Sequence, residues 1–326
     1  MTVSLVTGAT GFTGGHLAQR LAQRGEMVRG FVRPTANATR LADAGVSIVE
    51  GDLTDPTSIS TAVEGVDTIY HIAAVYRSAK HSDDYYWDVN VGGTERILAA
   101  ARRHGVKRVV HCSTIGVHGG VNNVPADETA PFAPGDIYQE TKLSAERLAR
   151  LAFRADLRGV VVRPAGIYGP GDMRFLKLFS TIRNGSFRMF GSGETFIHLV
   201  YIDDLVDGML LCAETDSAIG NTYILAGEEF VTLNELSKMV ASATGAKTPT
   251  SHLPYWPLHM AAIACEGICR PFRIEPPLHR RRAEFFVKNR AFSIDRAKRE
   301  LGYKPVVDLQ TGIAKTAQWY ESQGLV

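Results

Sequence analysis

Three glycines spaced three apart, Gly8, Gly11 and Gly14, stand between the apolar run Val3 to Thr7 and an amphipathic stretch that reaches Arg24. A glycine inside a helix costs about 1 kcal/mol relative to alanine. A chain that clusters them where a helix starts therefore needs the room that side chains would take. The spacing permits a tight strand-to-helix turn, close approach of backbone to a pyrophosphate, and close packing of the helix on the strand. The helix N-terminus then presents unpaired N–H groups and the positive end of its dipole to the phosphates. The segment holding Gly8, Thr10, Gly11, Phe12, Thr13 and Gly14 is thus the expected phosphate cradle.

The rest of the first half repeats the same rhythm. Strand-like runs at Met27 to Val32, Val46 to Val49, Thr68 to Ile72 and Arg108 to Cys112 alternate with helix-period stretches at Ala38 to Ala44, Pro56 to Val63 and Val89 to His104. A helix at Ile137 to Ala155 and a strand at Gly159 to Arg163 continue it. Such alternation predicts an α/β fold with a doubly wound parallel sheet, whose ligand crevice lies beyond the carboxyl ends of the strands. After "RPAGIYGPGD" the pattern loosens, and a strand at His198 to Ile202 with a helix at Asp203 to Ala213 reads as the chain re-entering the sheet domain. The expected division is a dinucleotide-binding domain over 1–165 with 196–227 returning to it. The smaller, discontinuous substrate domain takes 166–195 and 228–326.

Composition narrows the partners. With 326 residues, 45% hydrophobic and 21% charged, the chain can bury a sizeable core. A net charge of +2 gives no field strong enough to imply nucleic acid or a membrane surface as the main partner. Cys112, Cys212, Cys265 and Cys269 follow neither a disulfide framework nor a zinc pattern, so no metal is expected and a reducing compartment is. The N-terminus shows no signal-peptide pattern and no run is long enough to span a bilayer, which places the protein in the cytoplasm.

The second strand ends in "GFVRP", with Val32 where an acidic residue would meet an NAD ribose and Arg33 beside it. An arginine there suits a 2′-phosphate, so NADP is the expected cofactor, with NAD the alternative.

Together these features resemble the extended short-chain dehydrogenase/reductase family, which includes the epimerase/dehydratase and 3-beta-hydroxysteroid dehydrogenase-like members. The resemblance rests on "TGATGFTG" at 7–14, "GDLTD" at 51–55, "HIAA" at 71–74, "VNVGGT" at 89–94, "CST" at 112–114, "YQETK" at 138–142, "RPAGIYGPGD" at 163–172 and "VYIDDL" at 200–205. It implies a Rossmann sheet, a nicotinamide cofactor and a Thr-Tyr-Lys catalytic set. Tyr-x-x-x-Lys occurs twice, at Tyr76/Lys80 and Tyr138/Lys142, and position selects the second, which starts a helix after the strand ending in "CST". Residues four apart share a helix face, so Lys142 sits beneath Tyr138 and favours its phenolate. Tyr138 is then the general acid or base. Counting back from "VHG" at 117–119 puts Thr114 as the substrate-orienting hydroxyl, with Ser113 on the other face of the strand. The resemblance further implies that Asp52 and Leu53 lie by the adenine, Ile72 and Ala73 along the dinucleotide, Pro164 near the nicotinamide amide, and Asn90 behind the site.

Family members divide into nucleotide-sugar enzymes and dehydrogenases or reductases of apolar ketones and alcohols. The first group commonly carries an arginine just before "VYxDD", where this chain has Ile197, although Arg188, His198 or Arg280 to Arg282 are candidate replacements. Pro257 to Cys269 is apolar apart from His259 and Glu266. It reads as a lid over an apolar substrate, a shallow membrane contact or a buried helix. The expected function is interconversion of a carbonyl and a secondary alcohol on a mostly apolar small molecule. The alternative is a nucleotide-sugar 4-epimerase or dehydratase with transiently reduced bound NAD. A non-catalytic cofactor sensor on the same fold is a third class, which the intact Thr114, Tyr138 and Lys142 set argues against. A homodimer through the helices at 89–104 and 137–155 is expected from the resemblance.

Overall fold

The computed structural model describes residues 2–76, 81–269, 276–278 and 280–326, without the side chains of residues 281 and 282. Lys80 and His279 lie outside the described residues. Short strands rich in Val and Ile form first: β1 (Val3–Thr7), β2 (Met27–Val32), β3 (Ser47–Glu50), β4 (Thr68–His71), β5 (Arg108–Cys112) and β6 (Gly159–Pro164). Between them run α1 (Phe12–Gln23), α2 (Thr39–Asp43), α3 (Pro56–Val63), α4 (Asp83–Tyr86), α5 (Gly93–Arg103) and α6 (Ile137–Ala155). Every residue of β5 and β6 is buried, as expected of strands covered on both faces. A π-helical turn, Trp87–Gly92, leads from α4 into α5, where the sequence suggests one continuous helix from Val89.

The second half contributes β7 (Gly166–Tyr168), α7 (Leu176–Arg183), β8 (Met189–Phe190), β9 (Phe196–Tyr201), α8 (Ile202–Glu214), β10 (Thr222–Leu225), β11 (Phe230–Thr232), α9 (Leu233–Ala243) and β12 (His252–Leu253). It ends with α10 (Tyr255–Cys269), α11 (Arg280–Glu284), α12 (Asp295–Leu301) and α13 (Leu309–Ser322). The main sheet has seven parallel strands in the order β10-β6-β5-β4-β1-β2-β3, a Rossmann sheet whose order reverses between β1 and β4. The strand at His198 to Ile202, read from sequence as part of the return to the sheet domain, is not a member of this sheet. It is β9, sandwiched between β7 and β11 in a separate three-stranded sheet, and β10 supplies the seventh strand. The alternation was visible in sequence; pairing partners were not, because β9 and β10 are both short apolar runs.

α8 nevertheless packs where a returning helix should, against α1, β5 and β6. Arg20 of α1 ties the two helices by pairing with Asp203 and Asp207. α10 departs from the buried-helix alternative: of its residues only Ala262 is buried.

Candidate active site

The carboxyl ends of the parallel strands collect the residues singled out by sequence. β1 ends at Thr7, and Gly8 follows at φ +72°, the left-handed region that favours glycine. A Cβ on Gly8 would lie 2.9 Å from the Ala73 Cα, and one on Gly14 would lie 2.2 Å from the Gly8 oxygen. Gly11 is the N-cap of α1 and provides no side-chain cap, and the first turn carries no acidic residue. The helix start is thus shaped for an anion, with backbone N–H groups as donors. Thr10 is exposed, Phe12 and Thr13 are half-buried, and Phe12 lies edge-on to His16 with the Arg174 guanidinium 5.6 Å from its ring. The residues present fit a dinucleotide: Gly8 and Gly14 let the β1 turn and α1 pack in direct contact, and no side chain caps the first N–H groups of the helix.

The turn after β4 is drilled onto β1 by one hydroxyl. Thr7 Oγ1 accepts the N–H groups of Ile72 and Ala73, each at 3.1 Å, and is paired with His71 Nδ1 at 2.9 Å. His71 Nε2 reaches Thr94 Oγ1 at 3.0 Å. Burial, reinforced by the Lys142 charge, holds His71 down to a pKa of about 3. His111, the register partner of His71 on β5, is driven well below the usual histidine range by the same causes. Among the described residues neither His111 ring nitrogen has a hydrogen-bond partner.

Arg33 is exposed just past β2, while Val32 is buried. Asp52 Oδ1 accepts from Thr54 N–H at 2.8 Å and Thr54 Oγ1 at 2.7 Å, a turn-forming use of the carboxylate. The Leu53 side chain is buried and its carbonyl accepts from Arg96 at 3.0 Å, so only part of this pair faces outward. Pro164 closes β6 and is buried.

Tyr138 and Lys142 stand one turn apart on α6, whose N-cap Asp136 accepts from Gln139 N–H at 2.8 Å. Lys142 is fully buried and its Nζ donates to the Cys112 carbonyl at the end of β5. Burial pushes its pKa down, opposed by the Cys112 thiol and the Glu146 carboxylate. Two residues beyond Cys112, the half-buried Thr114 caps a short 3₁₀ turn, its Oγ1 accepting from Gly116 N–H at 3.0 Å. A Cβ on Gly116 would lie 3.0 Å from Gln139 Nε2 and 3.2 Å from Thr114 Oγ1, which shows how closely Thr114 approaches the first turn of α6. Ser113 points the other way and donates to Glu146 Oε2 at 2.6 Å.

Several partners were not legible in sequence. Glu146, one turn past Lys142, and Arg163, beside Pro164, form a fully buried pair that also joins Ser113, just past β5, and His118 at 2.9 Å. Buried charges carry the same letters as solvated ones; the hint was Glu146 at i+4 from Lys142 on one face. Asn90, expected on a helix behind the site, is buried: its Oδ1 accepts from Val75 N–H at 2.7 Å and its Nδ2 donates to Thr141 Oγ1 at 3.0 Å. The ring of Tyr76, from the Tyr-x-x-x-Lys that position did not select, packs edge-on to Tyr138 at 5.0 Å.

His198 does not replace the missing arginine. It is buried, its Nε2 donates to the Gly227 carbonyl at 2.9 Å, Phe292 N–H donates to its Nδ1, and burial lowers its pKa, so it is neutral. Ile197 is in the core. Arg188 spends its guanidinium on the carbonyls of Gly185 and Phe187. Among the described residues no cluster of three His, Cys, Asp or Glu could hold a metal.

A doubly wound sheet with a glycine turn at its reversal and a Tyr-x-x-x-Lys helix beside β5 is the architecture of the extended short-chain dehydrogenases/reductases. The chain belongs to the NAD dependent epimerase/dehydratase family, whose model matches residues 4–226. It is 32% identical to a 3 beta-hydroxysteroid dehydrogenase/Delta 5-->4-isomerase of Mycobacterium tuberculosis over 98% of this chain and 90% of that one. It is also 32% identical to a 2-alkyl-3-oxoalkanoate reductase of Stenotrophomonas maltophilia, over 95% and 97%. A dTDP-glucose 4,6-dehydratase from Streptomyces venezuelae, solved with NAD and TYD bound, superposes with a TM-score of 0.79 at 25% identity, covering 98% of this chain and 97% of that one. The protein is accordingly an enzyme of this family, of a kind that binds a nicotinamide dinucleotide.

Proposed function

We propose that the protein is an NADP-preferring oxidoreductase that interconverts a carbonyl and a secondary alcohol on a mostly apolar small molecule. The observation that carries this reading is the buried Lys142 amine, anchored on the Cys112 carbonyl one helical turn from Tyr138 and two residues from Thr114. A bound nicotinamide would supply or take up the hydride. Gly8, Thr10, Gly11, Phe12, Thr13 and Gly14 hold the pyrophosphate, and Arg33 meets a 2′-phosphate. Asp52 and Leu53 border the adenine, Ile72 and Ala73 the dinucleotide, and Pro164 the nicotinamide amide. Tyr138 exchanges a proton with the substrate oxygen, Thr114 Oγ1 directs that oxygen, and Lys142 supports the phenolate electrostatically. The Glu146–Arg163 pair and Asn90 keep β5, β6 and α6 in register around them.

The apolar substrate is supported by the stretch before "VYIDD", where core Ile197 and neutral His198 offer no cation to a diphosphate. The competing reading, a nucleotide-sugar 4-epimerase or dehydratase, has the family description and the likeness to a dTDP-glucose dehydratase behind it. Purified protein given NADPH and a panel of apolar ketones should consume cofactor stoichiometrically, seen as falling nicotinamide absorbance. Tightly retained cofactor with turnover of a nucleotide sugar and no net absorbance change would overturn the proposal.

The same reading assigns residues 1–165 and 196–227 to cofactor and 166–195 and 228–326 to substrate. Its four cysteines, all free, suit the cytoplasm. A homodimer is proposed through the faces of α5 and α6, where Leu151 is exposed.

A further inference from the structure

α10 is built inside out for a helix bathed in water. Its polar side chains Tyr255, His259 and Glu266 are half-buried, while Trp256, Met260, Ile263 and Ile268 are 70%, 56%, 41% and 67% exposed. Pro257, Ala261, Ala264 and Gly267 are the other exposed positions. At 3.6 residues per turn these positions sweep about 160° of the helix surface, and none carries a charge; the Trp256 indole N–H is the one polar group among their side chains. The polar side chains are spent inward. Tyr255 Oη meets His259 Nδ1 at 3.2 Å, and Glu266 accepts from the Arg280 N–H and Nε, each at 2.7 Å. The apolar surface continues beyond the helix: Leu253 and Val287, both 41% exposed, flank Gly191, whose N–H donates to the Leu253 carbonyl at 2.9 Å. An apolar patch of this kind on a soluble body marks an interaction surface.

The neighbouring charge selects the occupant. α11 packs against α10 and opens with three consecutive arginines, Arg280, Arg281 and Arg282. The Arg280 side chain remains 57% exposed even while paired with Glu266. An apolar face beside the exposed Arg280 guanidinium and a run of basic sequence complements a surface that offers acyl chains and anions together. A second copy of the chain would bring the same arginines to the rim and supply no countercharge.

We propose that α10 lies in the surface of an anionic lipid bilayer, with Trp256, Met260, Ile263 and Ile268 inserted at the headgroup–acyl boundary and the start of α11 over the phosphates. The helix has 15 residues, about 22 Å, and so lies on the bilayer rather than crossing it. This inference does not depend on the reaction proposed above.

The full chain, sedimented at low salt with phosphatidylcholine vesicles with or without phosphatidylglycerol, should bind the anionic vesicles and weaken roughly five-fold for each arginine of α11 replaced by glutamine. Vesicles of brominated lipid should quench Trp256, and the quenching should disappear in Trp256→Phe. Combined Trp256→Ser, Met260→Ser, Ile263→Ser and Ile268→Ser should abolish binding, with dinucleotide affinity and circular dichroism unchanged because all four positions are exposed. No sedimentation of the full chain with any vesicle would overturn the proposal, as would equal binding by the serine variant. It would also be overturned if the serine changes only split a dimer into monomers while the unmodified chain ignores lipid, which would assign this face to a second copy.

Discussion

At the residue scale the site turns on what each side chain is already doing. Tyr138 is half-buried at the first turn of α6, against the ring of Tyr76. Its hydroxyl is the one group in the proposed mechanism that exchanges a proton with substrate. Tyr138→Phe should therefore lower kcat by roughly 10²- to 10⁴-fold while leaving dinucleotide affinity unchanged. Near-normal turnover by this variant, measured with any ketone that the unmodified enzyme reduces, would remove Tyr138 from the reaction. Arg33 makes a separate claim. It is exposed just past β2, beside Val32 with no carboxylate, and the proposed function gives it the 2′-phosphate. Arg33→Glu should weaken NADPH about ten-fold or more and spare NADH, since a hydrogen bond to a charged group is worth roughly 1.5–3 kcal/mol. Equal effects on both cofactors in a fluorescence titration would place the 2′-phosphate elsewhere.

Elements explain why these residues meet. α1 comes within contact of the β1 turn because Gly14 has no side chain: a Cβ there would stand 2.2 Å from the Gly8 carbonyl oxygen. Backbone, unlike a flexible side-chain tip, cannot swing aside, so Gly14→Ala must tilt α1 or push the turn. The expected result is a clear loss of both Tm and dinucleotide affinity, in contrast to Gly25→Ala, where added bulk meets nothing within 4 Å and strain at φ +80° is the sole cost. Thermal melts with and without NADP separate the two: Gly25→Ala should still be stabilised by ligand, and Gly14→Ala should not. α6 shows the same dependence on neighbours, for Lys142 reaches the end of β5 and Thr141 receives Asn90 from the turn before α5.

Over the whole molecule, the buried imidazoles set the acid limb of stability. His71 is held near a pKa of about 3 and His111 is also driven down, both first by burial. The unfolded value is about 6.5, so each is neutral when folded and takes up a proton on unfolding below that pH. The stability they confer is complete above about pH 6.5 and is lost as pH falls from there through the folded values. The slope is up to about 1.4 kcal/mol per pH unit for each histidine. Denaturant titrations between about pH 6 and 4 should show a slope shallower by up to one proton in His111→Leu. Its stability at neutral pH should be no lower, because neither His111 nitrogen gains a hydrogen bond in the fold. An unchanged slope would mean that His111 is already protonated in the native protein. At the same scale, light scattering at micromolar concentration should give a dimer, and Leu151→Glu on α6 a monomer. Identical masses for both proteins would exclude α6 as the interface.

The alternation of strands and helices, the cradle glycines and the Tyr138–Lys142 spacing were all fixed by local periodicity and local turn chemistry, and so could be read from the chain alone. Long-range pairing decided the rest. β9 and β10 were indistinguishable as apolar runs, yet one joins the small sheet and the other completes the large one. Nothing local sets Glu146 and Arg163 apart from surface charges, yet α6 and β6 bring them together out of water. His198 looked like a candidate cation until burial made it neutral. Local sequence specifies what a segment prefers to be; which segments exclude water from one another, and so which charges survive, is a property only of the folded chain.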